Sequence, residues 1–296
     1  MIYNTWDFAL FSANIHHFFS DIAWNSHTVI YKKWLEYHKP KFIKPETSWD
    51  LDNLIPIISN QPSIICLYHL GYHAQIPTAI ANQNICFDIL IDRNVYEDQH
   101  TEINKMKSNL LYKDSSYQFL FSDDPQVLIK ARSTLLQGRH LLIFADGNSG
   151  TLKDATNNRV EVDFCGNKIK VRKGIAVLSY LLKVPIIPLT HSNSLNRFKI
   201  IPGRILLPLN YNKGKEYILF AMQYLYSFLE QQIIDEPFKW ESWNYLHEMA
   251  CFDIGIHDTQ IQDNLTIRDS WLLMELNGNT GYFDRSSYNF IYLNLK

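Results

Sequence analysis

Short apolar runs alternate with helix-periodic stretches along most of the chain. Ser63–Tyr68 (SIICLY) is continuously apolar, the pattern of a strand buried on both faces. Ile85–Ile91, Tyr117–Phe121 and His140–Ala145 repeat it, with Ala74–Asn82, Asp98–Leu111 and Asp124–Gln137 reading as helices around them. Asp123 or Asp124 suits the N-cap of the last helix, and Gly138 its stop. Val160–Arg172 alternates with period two on both sides of Cys165-Gly166-Asn167, as a β-hairpin does. Gly174–Leu182 and Lys215–Ile234 then read as helices, and Pro185–Leu189 and Phe198–Leu207 as strands.

The flanks differ from this middle region. Met1–Tyr37 reads as one or two amphipathic helices bearing Trp6, Phe8, Phe11, Phe18, Phe19 and Trp24, a core-packing layer. Lys39-Pro40, Lys44-Pro45 and Thr47–Asp50 break the regularity. Near the carboxyl end, Trp271–Leu276 and Tyr282–Leu293 flank Asn277–Gly281 as a terminal hairpin, expected to cover a sheet edge. The prediction is an α/β fold with a mostly parallel central sheet flanked by helices. Residues 1–250 would form the main domain, with a helical layer over 1–45, and 251–296 a small β-appendage.

Composition supports a folded, aromatic-rich core: 296 residues, 46% hydrophobic and 14% aromatic, which excludes collagenous and disordered classes. The net charge of −2 argues against a dedicated nucleic-acid binder but conceals an asymmetry. Thr151–Lys215 holds 12 Lys/Arg against 3 Asp/Glu, a local +9 that leaves −11 elsewhere and points to an anionic ligand or partner. Cys66, Cys86, Cys165 and Cys251 show no C-x-x-C pairing and read as buried thiols in a reducing compartment. There is no apolar run of membrane-spanning length and no basic-then-apolar leader, so a cytoplasmic protein is expected, with peripheral contact at the inner membrane left open.

In an open parallel sheet, ligands bind beyond the carboxyl ends of the strands. Three apolar runs end there in polar residues: SIICLY at His69, ICFDILI at Asp92-Arg93, and HLLIFA at Asp146. His69 suits a general base, and Gly71 permits a tight strand-to-helix turn behind it. His73 reads as a pocket-lining companion. Although His69 and His73 have metal-ligand spacing, no third ligand is evident and no metal is expected. Arg93 could hold a phosphate or carboxylate, or simply form a surface ion pair. The Asp146–Gly150 loop, with Asn148, could cradle a ligand or merely turn the chain. Arg172-Lys173-Gly174 opens a helix, where free backbone N–H groups suit phosphate.

The order of these segments over roughly Pro62–His247 resembles the lipid A biosynthesis (lauroyl/myristoyl) acyltransferases, within the lysophospholipid acyltransferase-like superfamily. His69-Leu70-Gly71-Tyr72-His73-Ala74 occupies the place of the family's H-x-G-N-W-E motif. Arg93-Asn94 with Asp98 is similar to its arginine-ended strand and following helix. Asp146–Gly150 corresponds to its DQ-x-x-G loop, and Asp163–Gly166, Lys173-Gly174 and Val184–Leu189 to its FFG…T-x-G…PVIP run. Pro237–His247 corresponds to P-x-x-W-x-W-x-H.

The resemblance implies a glycerol-phosphate acyltransferase-like fold and transfer of a fatty acyl group from a carrier-protein or coenzyme A thioester to an amine or hydroxyl. The acceptor would be a small molecule, lipid or peptide, and no cofactor beyond the donor's phosphopantetheine thioester would be needed. His69 would be the base, yet the family's paired carboxylate falls on Ala74. Asp146 could replace it in space, or Gln75 could orient the ring without charge. Arg93, Arg172 and Lys173 would hold anionic groups beside the donor. The alternatives are a degenerate member that binds an acyl chain or carrier without catalysis, and a thioesterase-like hydrolase.

Overall fold

The structure, a computed structural model, describes residues 5–39, 48–108, 117–147, 158–194, 197–250, 255–257 and 268–293. Asn148–Gly150, Cys251 and the expected break at Pro40–Thr47 lie outside the described residues. The strands are β1 (Ser48–Asp50), β2 (Ile64–Leu67), β3 (Phe87–Ile91), β4 (Gln118–Phe121), β5 (His140–Phe144), β6 (Arg159–Phe164), β7 (Asn167–Arg172), β8 (Ile186–Ser194), β9 (Arg197–Pro202), β10 (Gly255–His257), β11 (Trp271–Leu276), β12 (Asn279–Asp284) and β13 (Asn289–Tyr292). The helices are α1 (Trp6–Phe18), α2 (Trp24–Tyr37), α3 (Ile55–Ile58), α4 (Ile76–Ala81), α5 (Arg93–Ser108), α6 (Val127–Leu136), α7 (Gly174–Leu182), α8 (Gly214–Ile233) and α9 (Leu246–Ala250).

The chain divides into two compact units. One comprises Pro40–Val162 and Val171–Leu229 and carries a seven-stranded sheet in the order β1-β9-β8-β2-β5-β3-β4. β8, β2, β5, β3 and β4 run parallel; β9 is antiparallel to β8, and β1 parallel to β9. Every residue of β2 is buried, because layers cover both faces of the sheet. Ile65, Leu67, Leu142 and Ile187 pack with Ile76, Ala79 and Ile80 of α4 and with Leu54 and Ile58 around α3. On the opposite face, the Tyr68 hydroxyl donates to the Leu225 carbonyl of α8 at 2.9 Å. Each such apolar side chain taken from water contributes about 1.5–3 kcal/mol.

The second unit comprises Met1–Lys39, Asp163–Lys170 and Glu230–Lys296. β11, β12 and β13 form an antiparallel meander, with β10 parallel to β13. The expected single strand over Tyr282–Leu293 is broken at 285–288, where Tyr288 takes φ +56° and β13 starts afresh. These strands form a sheet of their own, and α1 covers one face of it. Trp6 lies edge-on to Phe283 at 5.1 Å and donates its Nε1–H to the Glu275 carbonyl at 2.9 Å. Beneath this layer Arg285 is buried and donates to Ser12 Oγ (2.7 Å) and to the Ser270 carbonyl (3.0 Å), with its guanidinium 4.4 Å above the Trp24 ring.

Several boundaries also moved. α5 begins at Arg93 rather than Asp98, because Asp92 Oδ1 accepts from the Asn94 N–H (3.0 Å) and caps it. α6 begins at Val127 and its N-cap, Gln126, makes no side-chain cap bond; Asp124 instead accepts from the Gln126 N–H (2.8 Å) one turn earlier. β9 stops at Pro202, beyond which only Leu206 bridges to Ile186.

Two buried histidines are held neutral. His27 accepts the Ser12 hydroxyl proton at Nδ1 (2.7 Å), and His140 accepts the Ser63 N–H at Nδ1 (3.1 Å). Burial lowers each to a pKa of about 4 from 6.5. The unfolded chain therefore binds more protons below pH 6.5, and the stabilisation present above that pH is lost as pH falls towards 4. The loss is on the order of 3 kcal/mol per histidine. Thermal unfolding followed between pH 7 and pH 4.5 should show a falling midpoint; a flat profile would contradict the assignment.

Candidate active site

β2 and β5 are parallel neighbours with Leu67 opposite Phe144, and the Ala145 N–H donates to the Leu67 carbonyl at 2.9 Å. Counting on by two places His69 level with Asp146, both on the face that Leu67 and Phe144 share, since strand side chains alternate. The same count extends outward. Cys66 pairs with Pro188, Leu90 with Ile143 and Ile91 with Phe121. His191, His69 and Asp146 therefore stand at the carboxyl ends of β8, β2 and β5, with Arg93 and Asp123 just beyond the carboxyl ends of β3 and β4. The chain leaves β2 towards β3 and leaves β5 towards β8, so their outgoing connections run in opposite directions, the arrangement beside which ligands bind in open α/β sheets.

Asp146 accepts twice from His69. Oδ1 takes the Nδ1–H and Oδ2 the backbone N–H, each at 2.9 Å. The carboxylate is fully buried, whereas the His69 side chain retains 28% exposure. An accepting carboxylate fixes the proton on Nδ1 and leaves Nε2 as the basic nitrogen. Phe144 packs against the imidazole with centroids 4.6 Å apart, and His73 meets it edge-on at 5.0 Å. Gly71 takes φ +51°, a conformation that suits glycine, and the tight turn there brings His73 back over His69. Ala74 is exposed, and it is Asp146 rather than Gln75 that orients the ring.

The sequence did not single out His191. It lies two residues beyond the expected end of its strand, and β8 runs on through it to Ser194. Its Nε2 accepts the Tyr72 N–H at 3.2 Å, which holds the turn carrying His69. Tyr72 and Trp49 both pack on Phe198, each with centroids 4.6 Å apart, and complete the support.

Other expectations are corrected. Arg93 is engaged: its Nε donates to Asp123 Oδ2 at 2.8 Å, and its guanidinium lies 4.2 Å above Phe121. This is the surface ion pair, with no anion needed to explain it. The basic stretch is spread over more than one place. Among the described residues, Arg159, Arg172 and Lys173 lie where the β6–β7 hairpin meets α7. Lys183, Arg204, Lys213 and Lys215 lie at the opposite edge, where β8 begins and β9 ends. Asn148 lies outside the described residues.

Burial pushes the Cys66 thiol well up, so this neighbour of the pair is no nucleophile at neutral pH. No group of three or more His, Cys, Asp or Glu among the described residues is placed to hold a metal ion, and no described helix is long and apolar enough to cross a membrane. No protein-family model matches the chain, and no curated protein matches it in sequence.

Asp146→Ala strands the His69 backbone N–H in a buried position and frees the ring. A loss of roughly 1–3 kcal/mol of stability is expected in denaturant titration. A neutral substitution would show that the carboxylate does not hold this turn.

Proposed function

We propose that the chain is an acyltransferase that moves a fatty acyl group from a carrier-protein or coenzyme A thioester to an amine or hydroxyl acceptor. The observation that carries this reading is the pair of hydrogen bonds that His69 donates to Asp146, whose carboxylate takes the orienting part missing at Ala74. The resemblance in segment order over Pro62–His247 supports it.

In the proposed reaction His69 Nε2 removes the proton from the acceptor as its oxygen or nitrogen attacks the thioester carbonyl. Asp146 stabilises the imidazolium that forms. The tetrahedral intermediate collapses with cleavage of the carbon–sulfur bond. The imidazolium returns the proton to the departing thiolate, giving an ester or amide and the free thiol. His73 and Phe144 line the approach to the ring.

The test is to mix the protein with acyl-carrier and acyl-coenzyme A donors and a panel of amines and alcohols, reading products by mass spectrometry. Transfer is expected, slowed by roughly 10²-fold or more in His69→Ala. Release of acyl groups only to water would favour a hydrolase, and tight acyl or carrier binding without product would favour the degenerate reading. Transfer unaffected by His69→Ala would remove the proposed base.

A further inference from the structure

The segment that follows β9 carries apolar side chains on both of its faces. Leu206 bridges to Ile186 at the start of β8 and is buried, as is Pro208, whereas Ile205, Leu207 and Leu209 alternate with them and are exposed. Outward positions of a half-buried strand are ordinarily polar. Leu209 keeps 72% exposure, so it packs against little of its own chain. Two neighbouring helices continue the surface. Tyr180 of α7 donates its hydroxyl proton to the Asn212 carbonyl at 3.2 Å, and Phe220 of α8 stands 5.4 Å from the Tyr211 ring. Next to these two residues in the chain, Leu181 and Leu219 are exposed in turn. Single scattered leucines need no explanation, but five apolar side chains around one short segment form a patch of the kind that marks an interaction site.

Cations accompany the patch. Between Gly174 and Leu229 the sequence holds six Lys/Arg and one acidic residue, Glu216. Lys183 and Arg204 are exposed and lie over the rings of Tyr180 (3.9 Å) and Phe220 (5.7 Å). Lys215 is exposed one turn before Leu219, and Lys213 pairs with Glu216 at 3.1 Å. Lys183 takes φ +60° at the end of α7, where glycine is the usual residue, so the helix end does not itself call for lysine.

We infer that this patch docks the chain on an anionic lipid bilayer, with the leucines entering the interfacial layer and the cations meeting lipid phosphates. Leu and Tyr beside Lys and Arg is the composition of a membrane-contacting surface, because long cationic side chains reach the headgroups while their stems lie along apolar groups. Apolar side chains that stand out into solvent suit a fluid bilayer, whereas a folded partner requires a matched shape. A second copy meeting the patch face to face would set these cations against their counterparts. No described helix is long and apolar enough to cross a membrane, so the contact is peripheral. The inference stands on this surface alone and does not rest on the acyl-transfer reading.

The experiment is centrifugation of the full chain with vesicles of phosphatidylcholine alone, or of phosphatidylcholine and phosphatidylglycerol in equal parts. The chain should sediment with the anionic vesicles and only weakly with the neutral ones, and raised salt should release it. Leu209→Ser should weaken binding roughly tenfold, and Lys183→Gly roughly fivefold. Neither should lower the thermal midpoint, and Lys183→Gly should leave it unchanged or higher, since glycine suits that conformation. Ile129→Ser, at a similarly exposed apolar position on α6, should keep full binding.

The inference is overturned if the chain does not bind anionic vesicles, if it binds neutral vesicles equally well, or if either patch variant binds like the wild type. Self-association without vesicles that Leu209→Ser abolishes would give the patch to a second copy instead. Acyl transfer plays no part in the readout, so its absence would refute the proposed activity and leave the docking surface standing.

Discussion

The pairing of Leu67 with Phe144 sets the level at which β2 and β5 end, and the polar contacts at the carboxyl edge follow from it. A one-residue slip would bring Asp146 opposite Tyr68 and turn the alternating side chains to the wrong faces. The slip is costly because Ile64, Ile65, Cys66 and Leu67 are all buried, with packing on both faces. The apolar core thereby holds in place two polar residues that it does not itself contain. Asp146 reinforces the arrangement by binding both the ring and the backbone of His69, so the orientation of the imidazole and the path of the chain behind it are fixed together.

Both units bury polar groups and answer them from within. In the sheet unit Asp146 is fully buried against His69, which keeps partial access to solvent, and buried Asp88 accepts from Thr134 Oγ1 at 2.7 Å. The unit that contains residues 1–39 and 230–296 does the same. Arg285 is held by Ser12 and the Ser270 carbonyl, and Tyr288 donates to Asn14 Oδ1 at 2.8 Å. Desolvation lowers the Arg285 pKa to about 10, still far enough above neutrality to keep it charged. A buried charge with this many hydrogen bonds serves to fix one packing of α1 on β11–β13.

The parallel strands were legible because each is a short apolar run bounded by polar residues, and burial on both faces leaves no other reading for SIICLY or HLLIFA. His69 and Asp146 were legible as polar residues at the ends of such runs. Their direct contact was not, since it depends on strand order and register, which no local pattern encodes. His191 escaped because the apolar run ends at Leu189, whereas pairing with β9 extends the strand through Ser194. The start of α5 was misplaced because Asp92 looked like a crevice residue when it is a cap. Nor does composition reveal that the two chain ends fold into one compact unit, because residues 1–39 and 230–296 share no signal of their contact.

Asp146 holds His69 as the Nδ1–H tautomer and leaves Nε2 unprotonated. Long-range ¹H–¹⁵N correlation spectroscopy of the ¹⁵N-histidine-labelled protein at neutral pH reads this state directly, with His69→Gln assigning the resonance. A protonated Nδ1 and an unprotonated Nε2 are expected, with the pattern lost in Asp146→Ala. A His69 protonated at Nε2 and bare at Nδ1 would contradict it.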